Sequence, residues 1–204
     1  MPEFEQRTRS IFDRIHQSQG EDPYIFNRLV SLLSTEYLKV ESNWFVGKTC
    51  LDAGCGSNAN ATYSMLSMGA ERVYAFDLDS GSNNTILETV PRYLTEFEGR
   101  YELSLDDVLD MQYPDDFFDF THCAGVLQST RNVYQGLEEL ARVTKPGGIL
   151  YVNINGKGGL IREFTNLLRD KYNEDQDFKA LIDNLDAAQL SELAQWVVSE
   201  MAAQ

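Results

Sequence analysis

Leu51-Asp-Ala-Gly-Cys-Gly-Ser-Asn58 marks the centre of the predicted fold in this 204-residue chain. It has the character of a buried strand that ends in a glycine turn, with a helix beginning near Ala59. Gly54 and Gly56 have no Cβ, so the backbone can turn tightly there and lie against a ligand. The first amides of the following helix, and the positive end of its dipole, would face that ligand. Asp52 adds a carboxylate, which would repel a pyrophosphate and attract an ammonium or sulfonium group.

Strand-like and helix-like segments alternate on both sides of this turn. The predicted strands are residues 49–52, 72–77, 101–105, 117–123 and 148–154, and the predicted helices are 3–18, 24–40, 59–68, 83–97, 132–143, 158–172 and 178–200. Pro91 belongs in the first turn of a helix or at a break, so the helix around it is expected to begin near residue 90 or to be interrupted. The alternation predicts an α/β fold of the doubly wound, Rossmann-like kind, with a mostly parallel sheet and helices on both faces.

Charge and composition exclude several classes of protein. The chain has 32 acidic and 17 basic side chains, a net charge of −15, and residues 101–130 contain no Lys or Arg. Such a surface repels phosphate backbones, so no nucleic acid is expected as a partner. The three cysteines and two histidines match no zinc spacing, so no metal is expected and the cysteines are interpreted as reduced core thiols. Neither a signal peptide nor a membrane-spanning run is found, which favours a soluble, cytoplasmic protein.

Acidic residues follow the first three predicted strands: Asp52, Asp77 and the pair Asp106-Asp107. In a doubly wound sheet, ligands bind at the carboxyl ends of the strands, near the point where the strand order reverses. A carboxylate after the second strand can accept from both hydroxyls of a ribose, because its two oxygens form a fork. A carboxylate after the third strand could accept from the exocyclic amine of a base. Together with the glycine turn, these acids predict a positively charged ligand that carries adenosine.

Six motifs occur in order across residues 45–155. They are Leu51-Asp-Ala-Gly-Cys-Gly-Ser57, Phe76-Asp-Leu78, Asp107-Val108, Pro114-Asp-Asp-Phe-Phe-Asp119, Gly125-Val-Leu127 and Leu140-Ala-Arg-Val-Thr-Lys-Pro-Gly-Gly148. In these motifs the chain resembles the class I S-adenosylmethionine-dependent methyltransferases. The resemblance implies S-adenosylmethionine as cofactor, S-adenosylhomocysteine as product and a small-molecule acceptor. It also implies an N-terminal helical cap (1–44), a cofactor-binding core (45–156) and a C-terminal helical segment (157–204) that forms an insertion or lid.

The resemblance assigns roles to the residues of the first two motifs. Gly54 and Gly56 would lie under the methionine part of the cofactor, and Asp52 would support its ammonium directly or through water. Asp77 would hold the ribose hydroxyls, and Leu78 would pack on the adenine.

The later motifs supply the remaining contacts that the resemblance implies. Asp107 would accept from the adenine amine, and the Val108 backbone N–H would meet a ring nitrogen. Cys123 and Ala124 would offer backbone carbonyls to the amino group of the cofactor, so that only the main chain of the cysteine is needed.

A nicotinamide-dependent oxidoreductase is disfavoured by the same turn. The G-x-G-x-x-G pattern of such enzymes would require a glycine at position 59, but this chain has Ala59 there. In addition, the Asp52 carboxylate would repel the pyrophosphate of the dinucleotide. Asn58 replaces the third glycine of the methyltransferase turn, and asparagine tolerates left-handed conformations.

No catalytic residue is assigned. Relatives often carry a histidine after Gly-Val-Leu, but this chain has Gln128, which cannot take a proton. His122 lies within the fourth predicted strand and is interpreted as a core or supporting residue, and His16 as an exposed helical residue. Tyr24 and Tyr113 are candidates for pocket walls or for ordinary aromatic packing.

The two final strands of the family are not found after the fifth strand. The open edge could be covered by the last helices, by a homodimer contact or by a missing C-terminal part of a longer polypeptide, and the last is favoured. A non-catalytic or truncated methyltransferase-fold module, which binds the cofactor or a protein partner, therefore remains the alternative function.

Overall fold

The computed structural model describes residues 30, 33–78, 86–154, 156, 160–186, 189 and 192. Its central feature is a five-stranded sheet in the order β3-β2-β1-β4-β5. The strands are β1 Thr49–Ala53, β2 Arg72–Asp77, β3 Tyr101–Leu105, β4 Phe118–Ala124 and β5 Thr144–Asn153. Every pair of neighbouring strands in this sheet is parallel. The predicted parallel, doubly wound sheet is confirmed, and its strand order reverses between β1 and β4.

Helices and single 3-10 turns connect the strands. The helices are α1 Thr35–Leu38, α2 Asn60–Ser67, α3 Ile86–Thr89, α4 Val133–Val143, α5 Leu160–Glu174 and α6 Gln176–Asp183, and the 3-10 turns are Val90–Arg92, Thr95–Phe97 and Leu127–Ser129. The predicted helices at 59–68 and 132–143 agree with α2 and α4. Helix α4 begins where the Asn132 side chain accepts from the Gln135 amide at 3.2 Å, which satisfies one of its free N–H groups.

The two faces of the sheet have separate apolar cores. Helix α2 covers one face, where Met65 and Leu66 pack in the cluster that contains Phe120. Helix α4 covers the other face, where its apolar residues pack in the cluster that contains Phe118. Phe118 and Phe120 would share a face in a regular strand, but a register shift between them interrupts the β4–β5 ladder.

Two of the predicted helices are interrupted. At 83–97 the chain forms α3 and then two 3-10 turns, with Pro91 at the break as its missing N–H requires; residues 83–85 lie outside the described range. The predicted helix at 24–40 is broken at Ser34, whose backbone is extended (φ −141°) and whose hydroxyl accepts from Tyr37 N at 3.1 Å. Residues 24–29, 31 and 32 of that segment, and the predicted helix at 3–18, lie outside the described residues.

The fifth strand begins earlier than predicted. The fifth strand was predicted at 148–154, but β5 starts at Thr144 and includes Lys145-Pro-Gly-Gly148. Gly147 has a positive φ of 79°, so this part of the strand is irregular and coincides with the register shift against β4. No described strand pairs with the outer edge of β5.

Residues 156–204 form a compact unit separate from residues 1–155. Helix α5 agrees with the prediction at 158–172, but α6 ends at Asp183 and does not continue through the described part of 178–200. Asp175 lies between the two helices, accepting from Phe178 N at 2.9 Å and from Lys171 Nζ at 2.7 Å. None of the described helices has the length and apolar character needed to cross a membrane.

Candidate functional site

The glycine turn lies at the carboxyl end of β1, beside the point where the strand order reverses. The amides of Gly54 and Cys55 both donate to the carbonyl oxygen of Phe76 on β2, at 2.8 and 2.9 Å. Gly54 has φ +79°, and a Cβ at this position would overlap Cγ2 of Val126, which follows β4. The absent side chain therefore serves close packing between the turn and the loop after β4.

Asp77, the acid after β2, binds the same turn. Its Oδ2 accepts from Gly56 N at 2.8 Å, and its Oδ1 accepts from Leu78 N at 2.8 Å. The Leu78 side chain is exposed beside it. The structure thus brings Gly56, Asp77 and Leu78 together, and the ribose and adenine roles of Asp77 and Leu78 stay predictions.

Asp52 lies beneath the turn and is only 1% exposed. Its Oδ2 accepts from the backbone N and the hydroxyl of Thr62 on α2, at 2.9 and 2.7 Å, and its Oδ1 lies 2.9 Å from His122 Nδ1. A buried carboxylate needs such partners, because the loss of hydration otherwise disfavours its charge. The predicted contact of Asp52 with a cofactor ammonium stays a prediction, and in this arrangement both carboxylate oxygens already bind protein groups.

The segment after β3 carries the second pair of acids. Asp107 Oδ1 accepts from Leu109 N at 2.9 Å, which closes a local turn, and its Oδ2 lies 3.6 Å from an Arg131 guanidinium nitrogen. Val108 is almost fully buried, so its side chain anchors this segment in the core. The expected contacts of Asp107 and Val108 with adenine stay predictions, and a ligand amine there would share Asp107 with Arg131.

Strand β4 ends with Cys123 and Ala124, and Gly125 N then donates to Asn153 O at 3.0 Å. Cys123 is fully buried, and burial, aided by the negative charges of Asp52 and Asp77, raises the pKa of its thiol to about 12. The thiol therefore stays protonated and is a poor nucleophile. The expected contact of a ligand with the main chain of Cys123 stays a prediction.

Two buried amide oxygens, Gln128 Oε1 and Asn60 Oδ1, have no hydrogen-bond partner among the described residues. Asn60 begins α2 directly after the glycine turn, and Gln128 lies in the 3-10 turn after β4. Unpaired buried acceptors are disfavoured unless a ligand or water donates to them. Acceptor oxygens and carboxylates around a glycine turn fit a ligand with an ammonium group and hydroxyl donors, as S-adenosylmethionine has.

The catalytic candidates are distributed differently. His122 is engaged with Asp52, and Tyr113 packs edge-on against Phe118 in the core on the α4 face, where burial raises its pKa. His16 and Tyr24 lie outside the described residues. The described part of the chain contains no cluster of His, Cys, Asp or Glu suited to a metal ion.

Three supporting residues were not predicted from the sequence: Thr62, Arg131 and Arg142. Only a weak indication for Thr62 is found in the sequence. Ala59, the residue before α2, has no side chain that can cap the helix, so the backbone N–H groups of the first turn need an acceptor from another part of the chain. Arg131 and Arg142 are the first basic residues after a stretch rich in acids, a charge pattern that favours pairing.

Comparisons with known proteins agree with this geometry. A family model described as a methyltransferase domain matches residues 51–152, half of the chain. Among curated proteins, the chain is 24% identical over 148 residues to demethylmenaquinone methyltransferase of Bacillus licheniformis, covering 71% of the chain and 60% of that protein. It is 28% identical over 112 residues to phosphoethanolamine N-methyltransferase 2 of Caenorhabditis elegans, covering 55% of the chain and 25% of that protein. The chain therefore spans only a part of the length of these relatives.

Solved structures show the same fold. A proposed S-adenosyl-L-methionine-dependent methyltransferase of Methanococcus maripaludis superposes with a TM-score of 0.55 at 16% identity, covering 98% of this chain and 86% of that one. The [4+2]-cyclase SpnF superposes with a TM-score of 0.52 at 25% identity, covering 65% of this chain and 47% of that one.

Proposed function

Because the chain belongs to the class I S-adenosylmethionine-dependent methyltransferase family, whose cofactor is S-adenosylmethionine, we propose that it transfers a methyl group to a small-molecule acceptor. The observation that carries this proposal is the hydrogen bond between Gly56 N and Asp77 Oδ2, 2.8 Å long. It joins the turn suited to the methionine part and the carboxylate suited to the ribose in one continuous site.

S-adenosylmethionine supplies an electrophilic methyl group on a sulfonium, so the protein has mainly to align the reactants and exclude water. Gly54 and Gly56 keep side chains away from the cofactor, and Asp77 fixes it through the ribose. The buried charge of Asp52 favours the cationic end, and the Gln128 amide oxygen can accept from an N–H donor at the carboxyl end of β4. None of these residues needs to form a covalent bond.

A small acceptor is supported by charge and by the named relatives. A chain with a net charge of −15 repels nucleic acids. The two curated relatives are named for a quinone and for phosphoethanolamine, both small molecules of different chemistry. We propose an acceptor whose nucleophilic atom needs no strong base to remove a proton, such as an amine nitrogen, a thiolate sulfur or a nucleophilic carbon atom, because Gln128 cannot take a proton.

A second candidate is a cofactor-binding module without methyl-transfer activity. It is favoured by the glutamine at position 128, where a basic residue would assist a hydroxyl acceptor. The relative named as a [4+2]-cyclase also indicates that proteins similar to this chain catalyse other reactions. Fold alone does not decide between the two.

Calorimetric titration with S-adenosylhomocysteine tests the site, and Asp77→Asn is the matched variant. Loss of a charge-assisted contact is expected to weaken binding by about 1.5–3 kcal/mol, or roughly 10- to 150-fold. Glu102→Gln on the exposed side of β3 is the control and should bind as the wild type does. Absence of binding by the folded wild-type chain at millimolar ligand would refute the proposal.

Activity is then tested by the release of S-adenosylhomocysteine from S-adenosylmethionine with a panel of amines, thiols and hydroquinones. Turnover with one class identifies the acceptor atom. Tight cofactor binding without turnover in the presence of any small acceptor would favour the module.

A further inference from the structure

Asp52 and His122 form a buried hydrogen-bonded pair beneath the glycine turn, and the proposed function assigns no role to His122. They are paired in register on β1 and β4, and their Oδ1 and Nδ1 atoms lie 2.9 Å apart. Their side chains are 1% and 13% exposed. Thr62 supplies two more donors, so three hydrogen bonds hold the Asp52 carboxylate.

The geometry fixes the orientation of the histidine ring. An ionised carboxylate is only an acceptor, so His122 donates from Nδ1. The ring stacks on Tyr151, the residue paired with it on β5, with centroids 5.2 Å apart and planes 2° from parallel. A rotated ring would lose both the stack and the hydrogen bond.

Asp52 also acts as the missing cap of α2. The first residue before the helix, Ala59, makes no side-chain cap, and the amide of Thr62 in the first turn donates to Asp52 instead. The glycine turn lies between Asp52 and this helix in the chain. The carboxylate therefore fixes both ends of the turn, and His122 fixes the carboxylate.

We propose that His122 is a positioning residue of the cofactor site that acts through Asp52. This inference rests on the proposed binding of S-adenosylmethionine. His122 holds Asp52 in place, so that the negative charge of the carboxylate stays beside the glycine turn and attracts the cationic methionine end. A side chain without the Nδ1 donor would leave Asp52 held only by Thr62, and binding would weaken.

The test measures the dissociation constant of S-adenosylhomocysteine and the free energy of unfolding for the wild type and three variants. His122→Asn places an amide donor near the position of Nδ1, and His122→Val removes the donor. His16→Asn, at the other histidine of the chain, is the matched control and should bind as the wild type does. His122→Val is expected to bind roughly tenfold more weakly, because one hydrogen bond to a charged group is lost.

His122→Asn should match the wild-type affinity, whereas His122→Val should bind more weakly even where it is folded. If His122→Val does not fold, His122→Asn alone decides the question. A folded His122→Val chain that binds as tightly as the wild type would overturn the inference, and so would a folded His122→Asn chain that binds about tenfold more weakly than the wild type. A wild-type chain that binds no S-adenosylhomocysteine would instead overturn the proposed function.

Discussion

Replacing Arg142 by lysine is expected to loosen the segment after β3 that carries Asp107. The Arg142 guanidinium donates to the carbonyl oxygens of Met111 and Tyr113 at 2.9 and 2.7 Å, and to both carboxylate oxygens of Glu139 at 2.9 and 2.7 Å. Lysine retains the charge, but its compact ammonium cannot reproduce this planar fork. Helix α4 would then hold the segment through fewer hydrogen bonds.

The magnitude follows from these contacts. A hydrogen bond to a backbone carbonyl contributes about 1 kcal/mol, and Arg142 donates two of them. The Arg142 side chain is 29% exposed, so water screens its ion pair with Glu139, which adds roughly 0.5–1 kcal/mol. The free energy of unfolding should therefore fall by about 2–3 kcal/mol.

Urea unfolding followed by tryptophan fluorescence measures this loss. Arg72→Lys is the control, because Arg72 lies 4.0 Å from Glu102 with both side chains largely exposed, and its replacement should change stability by less than about 0.5 kcal/mol. Binding of S-adenosylhomocysteine should also weaken in Arg142→Lys, through Asp107. An Arg142→Lys chain as stable as Arg72→Lys would refute the reasoning.

Three further changes test other contacts by the same unfolding assay. Thr62→Val removes the 2.7 Å hydroxyl bond to a buried carboxylate and should cost about 1–2 kcal/mol, most of which Thr62→Ser should restore. Gly54→Ala would place a Cβ at a positive φ and against the Val126 side chain, and should lower the free energy of unfolding by at least about 2 kcal/mol. Ala59→Gly should change it by less than about 1 kcal/mol, because relief of the left-handed φ of 46° offsets the lost methyl group. The Arg142 hydrogen bond holds the pKa of the Glu139 carboxyl below its ordinary value. Ionised Glu139 therefore stabilises the fold at a pH above its ordinary pKa, and this contribution is lost as the pH falls through the lowered pKa. The free energy of unfolding of Glu139→Gln should accordingly fall less than that of the wild type between pH 5 and 3.

The sheet could be predicted from the sequence because its signals are local. The bounds of β2 and β3 agree with the prediction, since apolar runs there are closed by acids or glycines. The turn between β1 and α2 was predicted for the same reason. By contrast, the start of β5 was wrong, because Pro146 and the glycines beside it predict a turn and only pairing with β4 extends the strand through them.

The contacts within the site could not be predicted, because they join residues far apart in the chain. Asp52 and His122 are 70 positions apart, and their approach depends on the strand order and on the register of β1 against β4. Besides Gly54 and Gly56, the left-handed residue of the turn is Ala59, whereas the sequence placed the tolerance for that conformation at Asn58. Alanine is found there because it is fully buried, and the packing of α2 over-determines its backbone.

The acids after β1 and β2 have different surroundings in the structure. Asp77 binds two backbone amides at the rim of the turn, at the predicted place of the ribose, so its replacement should act on ligand affinity. Asp52 is enclosed by Thr62 and His122, so its replacement would disturb the start of α2 together with any ligand contact. A loss of binding in an Asp52 variant therefore does not identify a direct contact. Substitutions of His122 that preserve its donor separate the charge of Asp52 from its structural role, because they leave the carboxylate and the helix cap in place.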